Sequence, residues 1–425
     1  MKKIVIILNL CLCFSQSSLD DIEDLFNSGN LLEAESLINT VQEKNENFYY
    51  LAYQIYFQLD DLNNANKNLQ KALEIDEDKY FDEGDQLGLL INDLKNVNKT
   101  LTSGFIEEAI EESLKLIKKY PNNSICYYRL GYAYKENKDY SLAISNFNKA
   151  IDINPYNSVY RDEITYISNL EMLKGKEMYD LKDYQLALEH FNKALEYDPS
   201  NAAAMFRIGN IYYSIRDYMK AANIYEEGLI LKRNNYKVYN IVGKCYVALN
   251  ETEKALSSFD KSLEINPAYS SALFEKSKLF KNLNQISKST EILNTILTID
   301  ATYLKAYELL MDIEVGLNNL NKAIDYGNSA LAINPTAYTV QQRLASVYNQ
   351  QEIYSKGREF AKASLKSKKN YAPALFELGI AELSLCNKVA AKDAFTKCKR
   401  NRNYRKAASD YLKTDNFEHY TSHCQ

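Results

Sequence analysis

Histidine is nearly missing. The 425 residues contain three, His190, His419 and His423, so acid–base or nucleophilic chemistry that needs an imidazole has few carriers. A surplus of positive charge is missing too. Against 56 Asp and Glu stand 51 Lys and Arg, a formal net charge of −5, and such a chain lacks the basic stripe that displaces phosphate counterions. Nucleic acid is therefore excluded as a partner. There is no phosphate-binding glycine loop, no zinc-type cysteine pair and no Gly-x-Ser-x-Gly elbow. His419, His423 and Cys424 offer three ligands in a terminal tail, and a closed structural zinc site wants four. His190 reads as a plain helix-surface residue, and acid pairs such as Glu107-Glu108 and Glu226-Glu227 read as solvated faces. The expectation is a chain that is not an enzyme, with no catalytic residue, no metal and no cofactor. With 46% hydrophobic and 25% charged residues it falls among soluble globular chains and is neither disordered nor a multi-span membrane protein.

Long apolar runs are absent except at the start. Lys2 and Lys3 precede the run Ile4 to Phe14, with the small residues Cys13 and Ser15 placed before a cleavage. This reads as a secretory signal peptide over residues 1–15, the alternative being a buried first helix or an uncleaved anchor. The run is short of the roughly 20 residues a bilayer span needs, and no later segment could cross a membrane once the signal is cleaved. Five cysteines would remain: Cys126, Cys245, Cys386, Cys398 and Cys424. An odd, scattered set is not a disulfide framework, and buried small hydrophobes is the expected role. Asn98, Asn122 and Asn250 head N-glycosylation triplets, which suit a secreted chain.

What the sequence does have is a period. Alanines recur at Ala34, Ala65, Ala109, Ala143, Ala187, Ala221, Ala255, Ala323 and Ala391, with Ser289 and Gly357 filling the two gaps. The spacings are 31, 44, 34 and 44, and then 34 six times. Pro121, Pro155, Pro199, Pro267 and Pro335 keep a related register, stopping helices at the ends of units. In one unit Leu130, Gly131 and Tyr134 lie on a first helix and Ala143, Phe147 and Ala150 on a second. Asn137-Lys138-Asp139 turns between them. Small Gly131 and Ala143 let the two helices approach, while Tyr134 and Phe147 fill the space between hairpins. The small column returns as Gly175, Gly209, Gly243 and Gly379, and the aromatic one as Phe191, Tyr225, Phe259 and Phe395.

These residues closely resemble the tetratricopeptide repeat (TPR), a 34-residue helix–turn–helix. The best matches are Tyr127-Leu130-Gly131-Tyr134 with Ala143-Phe147-Ala150, and Tyr239-Val242-Gly243-Tyr246 with Ala255-Phe259. Tyrosine stands where the family prefers tryptophan, in keeping with 35 Tyr and no Trp. The pattern departs around Leu273 to Leu297 and Gln341 to Ser364. The fold class implied is all-α, a TPR helix–turn–helix solenoid winding as a right-handed superhelix. The two 44-residue spacings each hold ten extra residues (44 − 34) without proline or a glycine–serine tract, which predicts first helices longer by roughly 15 Å. The expected blocks are 18–77, 78–155 with an extended first helix, and 156–402, followed by a capping helix and tail over 403–425.

The resemblance also implies where a ligand would sit, since such arrays hold peptides on the concave groove of their first helices. In register that groove carries Tyr128, Tyr132, Phe206, Asn210, Asn240, Lys244, Phe274, Lys278, Glu308, Asp312, Phe376 and Ile380. A row of exposed rings favours an extended apolar client, although any one ring could instead turn inward as packing. The family's carboxylate clamp would fall on Phe206 and Asn210, then Ile241, then Ser271 and Glu275. Only Asn210 suits it. The block organisation resembles the repeat region of the endoplasmic-reticulum J-domain co-chaperone, without the His-Pro-Asp motif of a J domain. The implied function is a non-enzymatic protein–protein interaction: a co-chaperone in the endoplasmic reticulum lumen, or secreted, that binds unfolded clients or luminal chaperones. The alternatives are a cytoplasmic scaffold subunit of a multiprotein complex, or a regulatory subunit of an enzyme.

Overall fold

A computed structural model describes residues 18–413, among which there are 23 α-helices and no strand. The expected signal segment 1–15 and the tail bearing His419, His423 and Cys424 lie outside the described residues. Contacts group the chain into two compact units, Met1–Ile211 and Tyr212–Gln425, whereas the sequence led us to expect three blocks. The first unit runs through α1 (Leu19–Asn27), α2 (Leu31–Ile38), α3 (Glu46–Gln58), α4 (Leu62–Ile75), α5 (Glu77–Thr102), α6 (Ile106–Lys119), α7 (Ser124–Glu136), α8 (Tyr140–Ile153), α9 (Val159–Asp180) and α10 (Tyr184–Tyr197). The division falls within α11 (Ala202–Ser214). The second unit continues with α12 (Tyr218–Leu231), α13 (Tyr236–Ala248), α14 (Thr252–Ile265), α15 (Ser270–Asn282), α16 (Ile286–Ile299), α17 (Leu304–Gly316) and α18 (Leu320–Ile333). It ends with α19 (Tyr338–Gln350), α20 (Tyr354–Ser367), α21 (Ala372–Ser384), α22 (Lys388–Cys398) and α23 (Arg405–Leu412).

Odd-numbered helices are the first of each hairpin and even-numbered ones the second. The turn between them is built on one left-handed residue: Gly29, Asp60, Gly104, Lys138, Lys182, Arg216, Asn250, Asn284, Asn318, Glu352 and Cys386 all have positive φ. They recur at the alanine intervals, because each ends a first helix in the same hydrogen-bonded cap. In one such cap the Glu251 N–H donates to the Tyr246 carbonyl at 2.9 Å. Two of the residues are glycine and three asparagine, the types most at ease there.

Close approach within the hairpins follows from the small columns. All nine alanines of the repeat column, and Ser289 with them, are fully buried. A Cβ placed on Gly175 or Gly243 would come within 2.5 Å of the rings of Phe191 or Phe259, so the ring occupies the space the glycine leaves. Where the pattern departs, polar atoms compensate: Ser277 and Ser289 take the small positions, Ser289 Oγ donates to the Ser277 carbonyl at 2.9 Å, and Leu293 takes the aromatic place.

The extra residues are helical. α5 has 26 residues and α9 has 22, against 13 in α7 or α13. α23 covers the last hairpin with Ala408 and Tyr411, the Tyr411 ring stacking on Phe395 at 4.8 Å. Three of the cysteines, Cys126, Cys245 and Cys398, are buried thiols, as a small hydrophobe should be. Cys386 is the exception, being exposed in a turn and disulfide-bonded. A turn residue with its side chain in solvent has no core to enter.

One contact in the first unit breaks the nearest-neighbour rule of solenoids. The α3–α4 turn folds back onto later hairpins through Asp60. Its carboxylate accepts from Ser124 Oγ at the start of α7 (2.6 Å), from the Asn154 amide at the end of α8, and from the Tyr160 hydroxyl on α9 (2.6 Å). The Tyr156 hydroxyl reaches the Gly29 carbonyl at 2.9 Å, so the α1–α2 turn is tied to the α8–α9 turn as well. Tyr160 is 1% exposed. Burial and the facing Asp60 carboxylate push its hydroxyl well above the usual phenol range, so it remains a donor.

Candidate binding surfaces

The first helices carry the residues singled out from the sequence. On α7, Tyr128 is half-buried, with its ring 5.2 Å from that of Tyr160 and 5.8 Å from Phe147. Tyr132 lies beside it at 6.1 Å and holds the Lys135 ammonium 3.9 Å above its face, while Lys135 also bonds Glu163 at 2.8 Å. Phe206 and Asn210 are half-buried on α11, one turn apart. In the second unit the polar residues are less open than a groove would have them. Asn240 on α13 is 2% exposed and donates to Ser271 Oγ on α15 at 3.2 Å, leaving its Oδ1 without a partner. Lys244 and Lys278 flank one carboxylate, Glu275, at 3.6 and 2.9 Å. Phe274 packs against Tyr303 with ring centroids 5.8 Å apart and planes tilted by 59°.

Phe376 and Ile380 differ from expectation in their neighbours. Phe376 is in ring contact with Phe395, Tyr404 and Tyr411, and Ile380 joins the same cluster. The terminal hairpin has no following hairpin to bury its face, so the capping segment does so. Glu308 and Asp312 on α17 meet Arg343 of α19, at 3.8 Å and 2.9 Å. Arg343 lies one residue outside the repeat register, which is why the period did not reveal it. Burial raises the Asp312 and Glu377 carboxyls above their ordinary range, partly opposed by Arg343 at the first and by Asn349 and Ser346 at the second.

His190 corrects a simpler reading. Its Nδ1 lies 2.7 Å from Glu171, a buried carboxylate that also takes Lys174 at 2.8 Å. Of the glycosylation triplets, Asn122 and Asn250 are exposed in turns, whereas Asn98 sits within α5. No group of metal-ligating side chains gathers among the described residues, and none of their helices is long and apolar enough to cross a membrane.

The first unit also has an open pocket of about 970 Å³, lined in part by Leu94, Asn98 and Tyr128 at the register positions of α5 and α7. It lies between α2, the α3–α4 turn, α5, α7 and the α8–α9 turn, with Asp60 and Tyr156 in its lining.

Stacked hairpins with side chains arrayed along their first helices define a repeat protein whose surface holds other proteins. Tetratricopeptide-repeat profiles match at residues 47–79, 124–157, 175–215 and 236–269. The chain is a tetratricopeptide-repeat protein. Among solved structures it is similar to a tetratricopeptide repeat protein from Parabacteroides merdae, at 19% identity and TM-score 0.46 over 58% of this chain and 97% of that one. It is similar also to the APC/C hetero-tetramer Cut9-Hcn1, at 15% identity and TM-score 0.45 over 93% of this chain and 82% of that one. Yeast Tom70 gives 15% and 0.43 over 92% and 95%. No curated protein matches the chain.

Proposed function

We propose that this protein grips extended, partly apolar polypeptide segments on its first-helix faces and serves as a co-chaperone of the secretory pathway. The observation that carries the reading is the half-buried rings on first helices, Tyr128 and Tyr132 on α7, Phe206 on α11 and Phe274 on α15, with Arg129, Lys135 and Lys278 over the rings of Tyr128, Tyr132 and Phe274. Such a surface offers apolar contact to a client's side chains and hydrogen bonds to its backbone. The compartment is supported by the Lys2-Lys3 charge and the apolar run Ile4 to Phe14, by the exposed turn positions of Asn122 and Asn250, and by the disulfide at Cys386.

The test pairs ligand with compartment. Phe206→Ser and Phe274→Ser together should weaken binding of a denatured model client with helical content unchanged, while Phe376→Ser should lower the melting temperature because its ring belongs to the cap cluster. Unchanged client affinity in the double variant refutes the groove. Binding of one folded partner and of no denatured client identifies a scaffold instead. Terminal sequencing of the native protein should find a start near Gln16, and protease should spare it inside sealed vesicles until detergent is added; an intact Met1 on a protease-sensitive cytoplasmic protein refutes the secretory placement.

A further inference from the structure

We propose that Cys386 is one half of a disulfide whose other half is Cys424, and that this bridge straps the end of the chain to the final hairpin and holds the capping helix α23 in place. Cys386 is disulfide-bonded and exposed in the α21–α22 turn. Its partner is not another described cysteine. Among the described residues Cys126, Cys245 and Cys398 are free thiols, each with 0% exposure. Cys398 Sγ donates to the Ala372 carbonyl at 3.3 Å. Burial pushes the Cys126 and Cys245 thiols up to about 12 and that of Cys398 to about 11, so they offer little thiolate and no access for exchange.

Of the seven cysteines in the sequence this leaves Cys11, Cys13 and Cys424, all outside the described residues. The first two fall in the segment 1–15 read as a signal peptide, and the pairing rests on that reading in so far as cleavage removes them. Chain length favours Cys424 independently. A bridge from Cys386 to Cys424 closes a loop of 38 residues (424 − 386), and one to Cys13 a loop of 373 (386 − 13). Closure becomes rarer as about the three-halves power of length, so the shorter loop forms roughly thirtyfold more readily in the unfolded chain. Reach suffices too. Eleven residues separate Lys413 from Cys424 (424 − 413) and extend up to about 36–40 Å. Tyr411 stacks on Phe395, which is nine residues from Cys386 (395 − 386), or roughly 14 Å at the rise of a helix.

Little else holds the cap. α23 has eight residues, fewer than the roughly 12–15 an isolated helix needs, and Ala408 is its one buried residue. Tyr404, Tyr411 and Leu412 are partly buried where the segment covers the hairpin. With α23 displaced, Phe376 loses the rings of Tyr404 and Tyr411, and Phe395 loses the stacked Tyr411, so the apolar end of the array opens to solvent. A bridge closing the loop that contains α22 and α23 penalises that opening. The chemistry is thiol–disulfide exchange: one of the two thiolates attacks glutathione disulfide and releases glutathione, and the other then displaces the second glutathione from the mixed disulfide. Two protein thiols lose two electrons and two protons, and one glutathione disulfide becomes two thiols.

The experiment uses the full chain, oxidised in glutathione buffer, alkylated, and mapped by peptide mass spectrometry without reduction. A peptide pair joining Cys386 to Cys424 is expected, with Cys126, Cys245 and Cys398 alkylated only after denaturation. An alkylated Cys386, or Cys386 joined to Cys11, to Cys13 or to a second copy of the chain, overturns the pairing. Amide hydrogen exchange then tests the strap. In Cys424→Ser it should speed up about thirtyfold or more at α23; Cys386→Ser and wild type in dithiothreitol should match it, and dithiothreitol should add nothing to either variant. An unchanged rate at α23 in Cys424→Ser overturns the strap even where the bridge forms. A bridge that forms in glutathione buffer but is missing from the native protein refutes the secretory placement and upholds the pairing.

Discussion

Replacing Tyr160 with Phe removes one oxygen and no packing. That oxygen donates at 2.6 Å to the Asp60 carboxylate from a side chain 1% exposed, in the range of charge-assisted O–H···O⁻ bonds. Ser124 and Asn154 still serve Asp60, so the carboxylate is not stranded, and the ring still fills its site, so no cavity opens. The loss is therefore that of one bond to a charged acceptor, about 1.5–3 kcal/mol. Because stability in a solenoid is set by neighbouring contacts, the loss should stay local. Native-state hydrogen exchange should speed up about ten- to hundredfold at the α3–α4 turn and the start of α9, with α13 and α14 unaffected. Asp60→Ala should cost more, since it leaves three donors without an acceptor, though less than three times as much because they form one network. If Tyr160→Phe loses under about 0.5 kcal/mol, the size of an ordinary surface change, and exchange does not move, the fold-back does not hold the unit closed.

Two further outcomes follow from the turns and the buried acids. Lys182 has φ 64° and Gly104 φ 84°, so Lys182→Gly should stabilise by about 0.5–1 kcal/mol and Gly104→Ala destabilise by about 1–2 kcal/mol in urea unfolding; a destabilised Lys182→Gly would refute the shared turn geometry. Burial alone would raise Glu171 and Glu382, but hydrogen bonds from Lys174 and His190 to the first, and from Lys362 and Asn387 to the second, hold both below the usual glutamate value. With the folded value below the unfolded one, each contributes stability above the unfolded value that is lost as pH falls through the folded one. Unfolding free energy should thus drop on acidification below about pH 4, and the drop should be smaller in Glu171→Gln.

The repeat period carried much of the fold. Alternation of Gly175 with Phe191 and of Gly243 with Phe259 is a local record of how closely two helices pass, because a large ring can lie only where its partner has no side chain. The ten-residue insertions could be read as helix for the same reason: nothing in them breaks one. The candidate surface was less legible. The register placed Tyr128, Phe206 and Phe274 on first helices, but it could not say that Asn240 is buried against Ser271, or that Phe376 lies under Tyr404 and Tyr411. A period describes an interior hairpin, and the last one has a different neighbour.

By itself, then, the sequence determined the hairpin, its turn and its length, since these depend on residues within one repeat. Only the tertiary structure decided that Asp60 reaches Ser124, Asn154 and Tyr160, 64, 94 and 100 residues away, and that residues of α2, α5, α7 and the α8–α9 turn line one open pocket. Contacts at such separations depend on how the long α5 carries one hairpin past the next, and no pattern inside a 34-residue window contains that path.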